Sequence, residues 1–151
     1  MSREFSNICR DLKGHKMSLP LKNLTVLVVD DDSTNCEGLR SFLEKSGASV
    51  IVARSVAEAL ELQRKSPAHV VIADIHLSSS DSYALIKEIR KYNVEYRGFT
   101  AAIAMASFAC HADKQSAIMA GFDAYLPKSI EPTYVVSTIS RVLRDSTELV
   151  A

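Results

Sequence analysis

Five short apolar runs alternate along this chain with five longer stretches whose apolar residues recur at helical spacing. The runs are almost continuously apolar, which is typical of strands that are covered on both faces of a parallel sheet. Alternating strands and helices form βα units with right-handed crossovers. We therefore predict an α/β, flavodoxin-like (βα)5 fold with a doubly wound, five-stranded parallel sheet in the order 2-1-3-4-5. The predicted strands lie in LTVLVVD, ASVIVA, AHVVIAD, FTAAIAMAS and DAYLP.

The length of 151 residues suits one domain with a hydrophobic core and is short for two. We predict a folded domain at residues 23–146, an N-terminal extension or linker at residues 1–22 that can be helical in part, and a C-terminal tail at residues 147–151. No apolar run approaches the roughly 20 residues that span a bilayer, so no membrane partner is expected. The polar N-terminus lacks a signal-peptide core, which favours a cytoplasmic protein. A formal net charge of zero gives no indication of nucleic acid binding.

The cysteines Cys9, Cys36 and Cys110 are odd in number and lie far apart. They show neither the spacing of a zinc site nor that of a disulfide framework. We expect thiols that pack as small hydrophobic groups.

Charged residues follow several of the predicted strands, at the edge of the sheet where ligands bind in open parallel sheets. Asp30, Asp31 and Asp32 follow the first strand, Asp74 ends the third, and Lys128 follows the fifth. Carboxylate oxygens are the ligands that Mg²⁺ prefers. A divalent cation would also offset the repulsion between Asp31 and Asp74. The sequence therefore predicts a magnesium site at this edge.

The first helix begins within the polar stretch after these acids. Ser33 or Thr34 can cap it, and Glu37 lies three residues after Thr34, as in a capping box. Asp32 points away from Asp31 if the strand geometry continues, so it is either solvated or caps this helix itself.

Asp74 is the best candidate for a nucleophile, because the central strand directs it at the middle of the acidic cluster. A carboxylate beside a metal ion and a lysine can attack a phosphoryl group, since both cations neutralise charge on the transferring oxygens.

Four stretches, VLVVDDDS, VVIADIHL, AIAMAS and YLPKSIEP, resemble in order and spacing the receiver domain of two-component response regulators over roughly residues 22–146. The approach to the first strand and the KSIEP ending resemble, more narrowly, receivers attached to hybrid histidine kinases. The resemblance implies Mg²⁺-dependent acceptance of a phosphoryl group from a histidine kinase or a histidine phosphotransfer protein. It implies output through contact with a downstream protein partner, and no enzymatic activity beyond this self-catalysed step and slow autodephosphorylation.

The same resemblance implies a role for each residue of the cluster. Asp74 matches the phosphoacceptor, and Asp30 and Asp31 match the acidic pair that organises Mg²⁺. Asp31 would be the direct ligand and Asp30 would act partly through water, while the backbone carbonyl of His76 would be the third protein ligand. Lys128 matches the lysine that pairs with the phosphoryl oxygens.

The end of the fourth strand departs from the family pattern. The family usually has Thr or Ser there, and its hydroxyl binds the phosphoryl group; this chain has Ala106, with Ser107 one place later. A slip that moved Ser107 into place would turn the other side chains of the strand to the opposite face, so we expect no slip. Tyr125 matches the aromatic residue that turns inward when the switch is on. We therefore expect the phosphorylation-driven switch to be impaired.

Two further departures concern loops. The usual Lys-Pro is Lys128-Ser129, which favours a trans peptide by ~3 kcal/mol and could change the direction of the lysine. After the acceptor, Ser78 replaces a proline and Ser82 a glycine, so we expect a more mobile and differently shaped loop.

Two other functions are compatible with parts of the pattern. One is a receiver-like interaction module that does not switch on phosphorylation. The other is a haloacid-dehalogenase-type phosphatase, in which Asp30 is the nucleophile and Asp32 the acid/base, with Ser107 and Lys128 imitating later motifs. The phosphatase scheme lacks its acidic pair after the lysine and gives Asp74 no role.

Overall fold

The computed structural model describes residues 19–76, 82–96, 98–107 and 111–150 of the chain. Most of the predicted N-terminal extension lies outside these ranges, as do Cys9, Cys110 and Ser78. Within them, five strands alternate with five helices. The strands are β1 (Thr25–Val29), β2 (Ser49–Ala53), β3 (Val70–Asp74), β4 (Ala101–Ala106) and β5 (Ala124–Pro127). The helices are α1 (Ser33–Lys45), α2 (Val56–Lys65), α3 (Ser82–Tyr96), α4 (His111–Ala120) and α5 (Pro132–Val150).

The strands form one parallel sheet in the order β2-β1-β3-β4-β5, which confirms the predicted fold. The register aligns Val29 with Ala73 and Asp74 with Met105, so the carboxyl ends of the central strands meet at one edge. Residues 147–150, which we predicted as a tail, continue helix α5. In the described part of the chain, no helix combines the length and the apolar character that crossing a membrane requires.

Helices cover the sheet on both sides, which explains the continuous apolar runs. Helices α1 and α5 pack on one face, against side chains such as Val26 and Ile103. Helices α2, α3 and α4 pack on the other, against Leu27, Val71 and small residues of β4. The small residues of β4 on this face are Ala102, Ala104 and Ala106.

Two glycines follow helices with a positive φ. Gly47 follows α1 with a φ of 104°, and Gly121 follows α4 with a φ of 125°. A side chain at Gly47 would also meet the Leu19 Cβ at 2.8 Å, so this turn requires glycine for both conformation and space.

Asp32 is the N-cap of α1. Its Oδ1 accepts hydrogen bonds from the backbone N–H groups of Thr34 at 2.9 Å and Asn35 at 3.3 Å. The predicted cap at Ser33 or Thr34 is therefore wrong, because Asp32 lies one residue nearer the strand and its carboxylate already reaches both amides. The alternative, in which Asp32 caps the helix, is confirmed.

We expect Asp32→Ala to lower the free energy of unfolding by about 1 kcal/mol, because two amides at the start of α1 lose their acceptor. Urea unfolding followed by circular dichroism measures the loss. Ser33→Ala, one residue further on, leaves both hydrogen bonds in place and serves as the control. Equal losses in the two variants would contradict the assignment of the cap.

Candidate functional site

Three strand ends bring Asp30, Asp74 and Lys128 together at the carboxyl edge of the sheet. The Lys128 Nζ lies 2.9 Å from Asp30 Oδ2 and 2.8 Å from Asp74 Oδ2. The two aspartates are each only 6% exposed. One ammonium group therefore bridges two buried carboxylates and offsets their mutual repulsion.

The carboxylates in turn fix the charge state of Lys128. Burial on its own lowers the pKa of this lysine, but the hydrogen bonds to Asp74 and Asp30 and the negative charges of both raise it. The net result is a pKa above the usual lysine value. The ammonium group therefore stays charged at neutral pH.

Asp31 completes the acidic cluster from the solvent side. One carboxylate oxygen from each of Asp30, Asp31 and Asp74 can be chosen so that all lie within 4.8 Å of one another. Asp31 is exposed, whereas the other two are buried. Hard oxygen donors at this separation fit Mg²⁺, which commonly binds through one or two carboxylates and keeps several waters. The donor set is thus compatible with the predicted metal.

The backbone around Asp74 is held at several points. Asp74 Oδ1 accepts the backbone N–H of His76 at 2.9 Å, and the backbone N–H of Ile75 donates to the Met105 carbonyl at 3.0 Å. The Ser82 hydroxyl, at the start of α3, donates to the Asp74 carbonyl oxygen. Both oxygens of the Asp74 carboxylate therefore have donors, His76 N–H on one and Lys128 Nζ on the other.

Comparison of this chain with known proteins agrees with this arrangement. A family model described as the response regulator receiver domain matches residues 26–140. The chain belongs to this family. Membership places the chain in two-component signalling, in which receiver domains interact with histidine kinases or phosphotransfer proteins and with downstream targets. Receiver domains are in general signalling modules rather than enzymes, and their acidic pocket typically binds Mg²⁺.

Relatives and solved structures match this receiver domain along most of their length. An uncharacterized 14.6 kDa protein of Leptolyngbya boryana is 33% identical over 122 residues, covering 80% of this chain and 91% of that protein. The polar-differentiation response regulator DivK of Brucella ovis is 30% identical over 122 residues, which cover 81% of this chain and 98% of DivK. The crystal structure of a putative response regulator from Chloroflexus aurantiacus superposes with a TM-score of 0.75 at 30% identity. The match covers 82% of this chain and 99% of that one.

The end of β4 keeps the register that the sequence predicts. Asp74 pairs with Met105 and Ala106 with Pro127, so the strand carries no slip. Ala106 is fully buried, and Ser107 follows the strand in an exposed bend. Tyr125, in β5, is partly buried against the apolar cluster that also contains Ala106. This receiver domain therefore ends β4 without a hydroxyl on its last buried residue.

The other departures from the family pattern have different outcomes. No cis peptide bond occurs among the described residues, as expected for Lys128-Ser129. The direction of the lysine is not lost, because the Lys128 N–H donates to the Ala106 carbonyl at 2.7 Å and the side chain still reaches both aspartates. The predicted change in the loop after Asp74 falls on residues 77–81, outside the described ranges. Ser82, at its far end, is buried.

Sequence reasoning did not find two contacts of the site. The first is the hydrogen bond from Ser82 to the Asp74 carbonyl, for which a serine in place of the usual glycine was the available signal. The second is the Cys36 thiol, which donates to the Asp30 carbonyl with 3.3 Å between Sγ and oxygen. Burial raises the pKa of this thiol, with the nearby Asp30 charge adding to the effect. Cys36 is fully buried, as predicted for a packing thiol.

The geometry gives little support to the phosphatase alternative. Asp32, its proposed acid/base, is bound to the first amides of α1. Asp74, which that scheme does not use, shares Lys128 with Asp30.

Proposed function

We propose that this receiver domain accepts a phosphoryl group from a phosphohistidine donor onto Asp74 in a Mg²⁺-dependent reaction. The supporting observation is the buried Asp74 carboxylate, 2.8 Å from the Lys128 ammonium and within one cluster of acids with Asp30 and Asp31. The donor would be a histidine kinase or a histidine phosphotransfer protein, and the output would be contact with a downstream protein.

In this reaction an oxygen of Asp74 attacks phosphorus, and the P–N bond to the donor imidazole breaks. The electron pair of that bond leaves with the imidazole, and an acyl phosphate remains on Asp74. Lys128, already beside Asp74, would turn to pair with the phosphoryl oxygens. Asp30, Asp31, Asp74 and the His76 backbone carbonyl would hold Mg²⁺, which when bound neutralises charge on the transferring group.

A cavity lies next to Lys128. A cavity of about 210 Å³, between α1 and the start of α5, reaches Asp30 and Lys128. Its walls are mostly apolar, with Leu39 on one side and Val135 on the other. The lining of this cavity includes neither Asp74 nor Asp31, so the cavity borders the acidic cluster on the Asp30 and Lys128 side.

Metal removal tests the proposed reaction. With Mg²⁺ and phosphoramidate, whose P–N bond resembles that of phosphohistidine, we expect one base-labile phosphoryl group per chain. With EDTA in place of Mg²⁺ we expect the rate to fall about 100-fold, because the metal no longer neutralises charge on the transferring group. Each factor of ten in rate corresponds to about 1.36 kcal/mol of transition-state stabilisation. Intact-mass measurement over time gives both rates. Equal rates with and without metal would refute the dependence on Mg²⁺.

A second function, a receiver that does not switch, is favoured by Ala106. Its buried position offers no hydroxyl to a phosphoryl group on Asp74. A hydrogen bond to a charged group contributes about 1.5–3 kcal/mol, and a typical allosteric coupling free energy is about 1–3 kcal/mol. Losing this one bond could therefore uncouple phosphorylation from the surface around β5.

We expect Ala106→Thr to couple phosphorylation of Asp74 to the surface around β5. With Mg²⁺ and beryllofluoride, amide chemical shifts in the wild type should change near Asp74 but little near Tyr125. In the variant the changes should extend to Tyr125, because the new hydroxyl can bind the phosphoryl mimic. Ser107→Ala, at the exposed neighbouring position, is the control and should behave as the wild type. Large changes near Tyr125 in the wild type would instead show an intact switch.

A further inference from the structure

We propose that Ser82 is a positioning residue of the phosphoacceptor site, which its hydroxyl shapes through the backbone of Asp74. The inference rests on the proposed function, because it concerns the geometry that phosphoryl acceptance and metal binding require. Ser82 does not itself touch the reacting atoms.

Ser82 is placed for this role by helix α3. It is the first residue of the helix and is fully buried, and its Oγ donates to the Asp74 carbonyl oxygen, eight residues earlier in the chain. Buried hydroxyl groups are nearly always hydrogen-bonded, and leaving the acceptor unpaired costs free energy. The bond joins the start of a helix to the last residue of the central strand. The glycine usual in this family could not make it.

This bond and a second one hold the peptide unit between Asp74 and Ile75 from opposite sides. Its carbonyl oxygen accepts from Ser82, and its N–H donates to the Met105 carbonyl at 3.0 Å. A peptide unit is planar, so holding its oxygen and its N–H defines the orientation of the whole plane. Without the hydroxyl, the hydrogen bond to β4 would be the one that still holds this plane among the described residues.

The orientation of this plane carries over to the carboxylate. The next N–H along the chain, that of His76, binds Asp74 Oδ1 at 2.9 Å and leaves Oδ2 facing Lys128 at 2.8 Å. The His76 carbonyl, the predicted third metal ligand, belongs to the peptide unit that comes two after the fixed one. A rotation of the Asp74–Ile75 peptide would therefore move the His76 N–H that holds Asp74 Oδ1, and would shift the start of the segment that carries the His76 carbonyl.

The test compares two variants that each remove one buried hydroxyl bonded to a carbonyl. Ser82→Ala removes the bond to Asp74. Thr138→Val removes a hydroxyl that also donates to a carbonyl, that of Tyr134 at 2.7 Å, but within a single helix, α5. Thermal unfolding reports the structural cost of each change. Two readouts report the site: the Mg²⁺ concentration that half-saturates the His76 amide shift, and the rate of phosphoryl uptake from phosphoramidate.

We expect Ser82→Ala to raise the half-saturating Mg²⁺ concentration and to slow phosphoryl uptake, each about tenfold, as for outer partners of metal ligands. Thr138→Val, which removes a hydroxyl that bonds only within its own helix, should keep both values. Ser82→Thr, which keeps the hydroxyl, should recover them; if its extra methyl group prevents folding, Ser82→Cys with its weakly donating thiol replaces it.

Loss of stability in Ser82→Ala with unchanged Mg²⁺ affinity and uptake rate would overturn the inference and leave Ser82 a purely structural residue. Absence of phosphoryl uptake in the wild type would overturn the proposed function instead, while the Mg²⁺ titration would still decide the role of Ser82. Absence of Mg²⁺ binding in every variant would overturn both.

Discussion

Asp74→Asn is expected to abolish phosphoryl uptake, with a fall in rate of at least about 1,000-fold. The change keeps the size of the side chain and its place at the end of β3. It removes the negative charge that makes the group a nucleophile, and an amide cannot form the acyl phosphate. Intact-mass measurement after incubation with Mg²⁺ and phosphoramidate, or with a phosphorylated histidine kinase, detects the product.

The matched control for this variant is Asp32→Asn. It also converts one acid at the same edge of the sheet to its amide, and its side-chain oxygen can still cap α1. Uptake should remain at the wild-type level. Uptake that survives Asp74→Asn would place the acceptor elsewhere. Turnover of a phosphate ester that is lost in Asp30→Asn but kept in Asp74→Asn would revive the phosphatase scheme.

Lys128→Met is expected to lower the free energy of unfolding by about 3–5 kcal/mol without metal, because two buried carboxylates lose the ammonium group that they share. Two changes should offset part of this loss of stability. Mg²⁺ should stabilise the variant more than the wild type, because the cation can replace the ammonium between the carboxylates. Asp30→Asn added to Lys128→Met should restore part of the loss. Urea unfolding with Mg²⁺ and with EDTA measures both effects.

The contribution of Lys128 should also depend on pH. Folding raises the pKa of this lysine, so its stabilising effect is complete below the unfolded-state pKa of about 10.4. The effect is lost as the pH rises through the higher pKa of the folded state. The difference in stability between wild type and Lys128→Met should therefore be constant near neutral pH and shrink in alkali. Lys65→Met, which removes an exposed lysine paired with Glu61 at 3.4 Å, is the control and should change stability little. A difference that stays constant in strong alkali would contradict the assignment.

The fold was predictable because each strand is covered on both faces, so its apolar run is continuous and easy to recognise. The placement of Asp30, Asp74 and Lys128 at one edge of the sheet followed from topology, since parallel strands end at a shared edge. The helix cap was not predictable to one residue, because Asp32, Ser33 and Thr34 are all good caps and the outcome depends on where β1 ends.

Other features of the site depend on contacts that no local pattern encodes. The Lys128 side chain has several rotatable bonds, and the change from proline to Ser129 left its direction open until both carboxylates were placed. The partner of Ser82 is a backbone carbonyl, which any residue type could supply. Sequence identifies such a hydroxyl as unusual but does not identify its acceptor.

The alanines of β4 bear on how firmly α4 is seated. Toward this helix the strand presents only methyl groups, and of the described side chains of α4 only Ala117 is fully buried in the shared cluster. Each buried methyl group contributes about 0.8 kcal/mol, far less than a leucine or phenylalanine would. Tilting or sliding α4 should therefore cost little. A protein that grips this helix could remodel the surface by its own binding energy, whether or not Asp74 carries phosphorus.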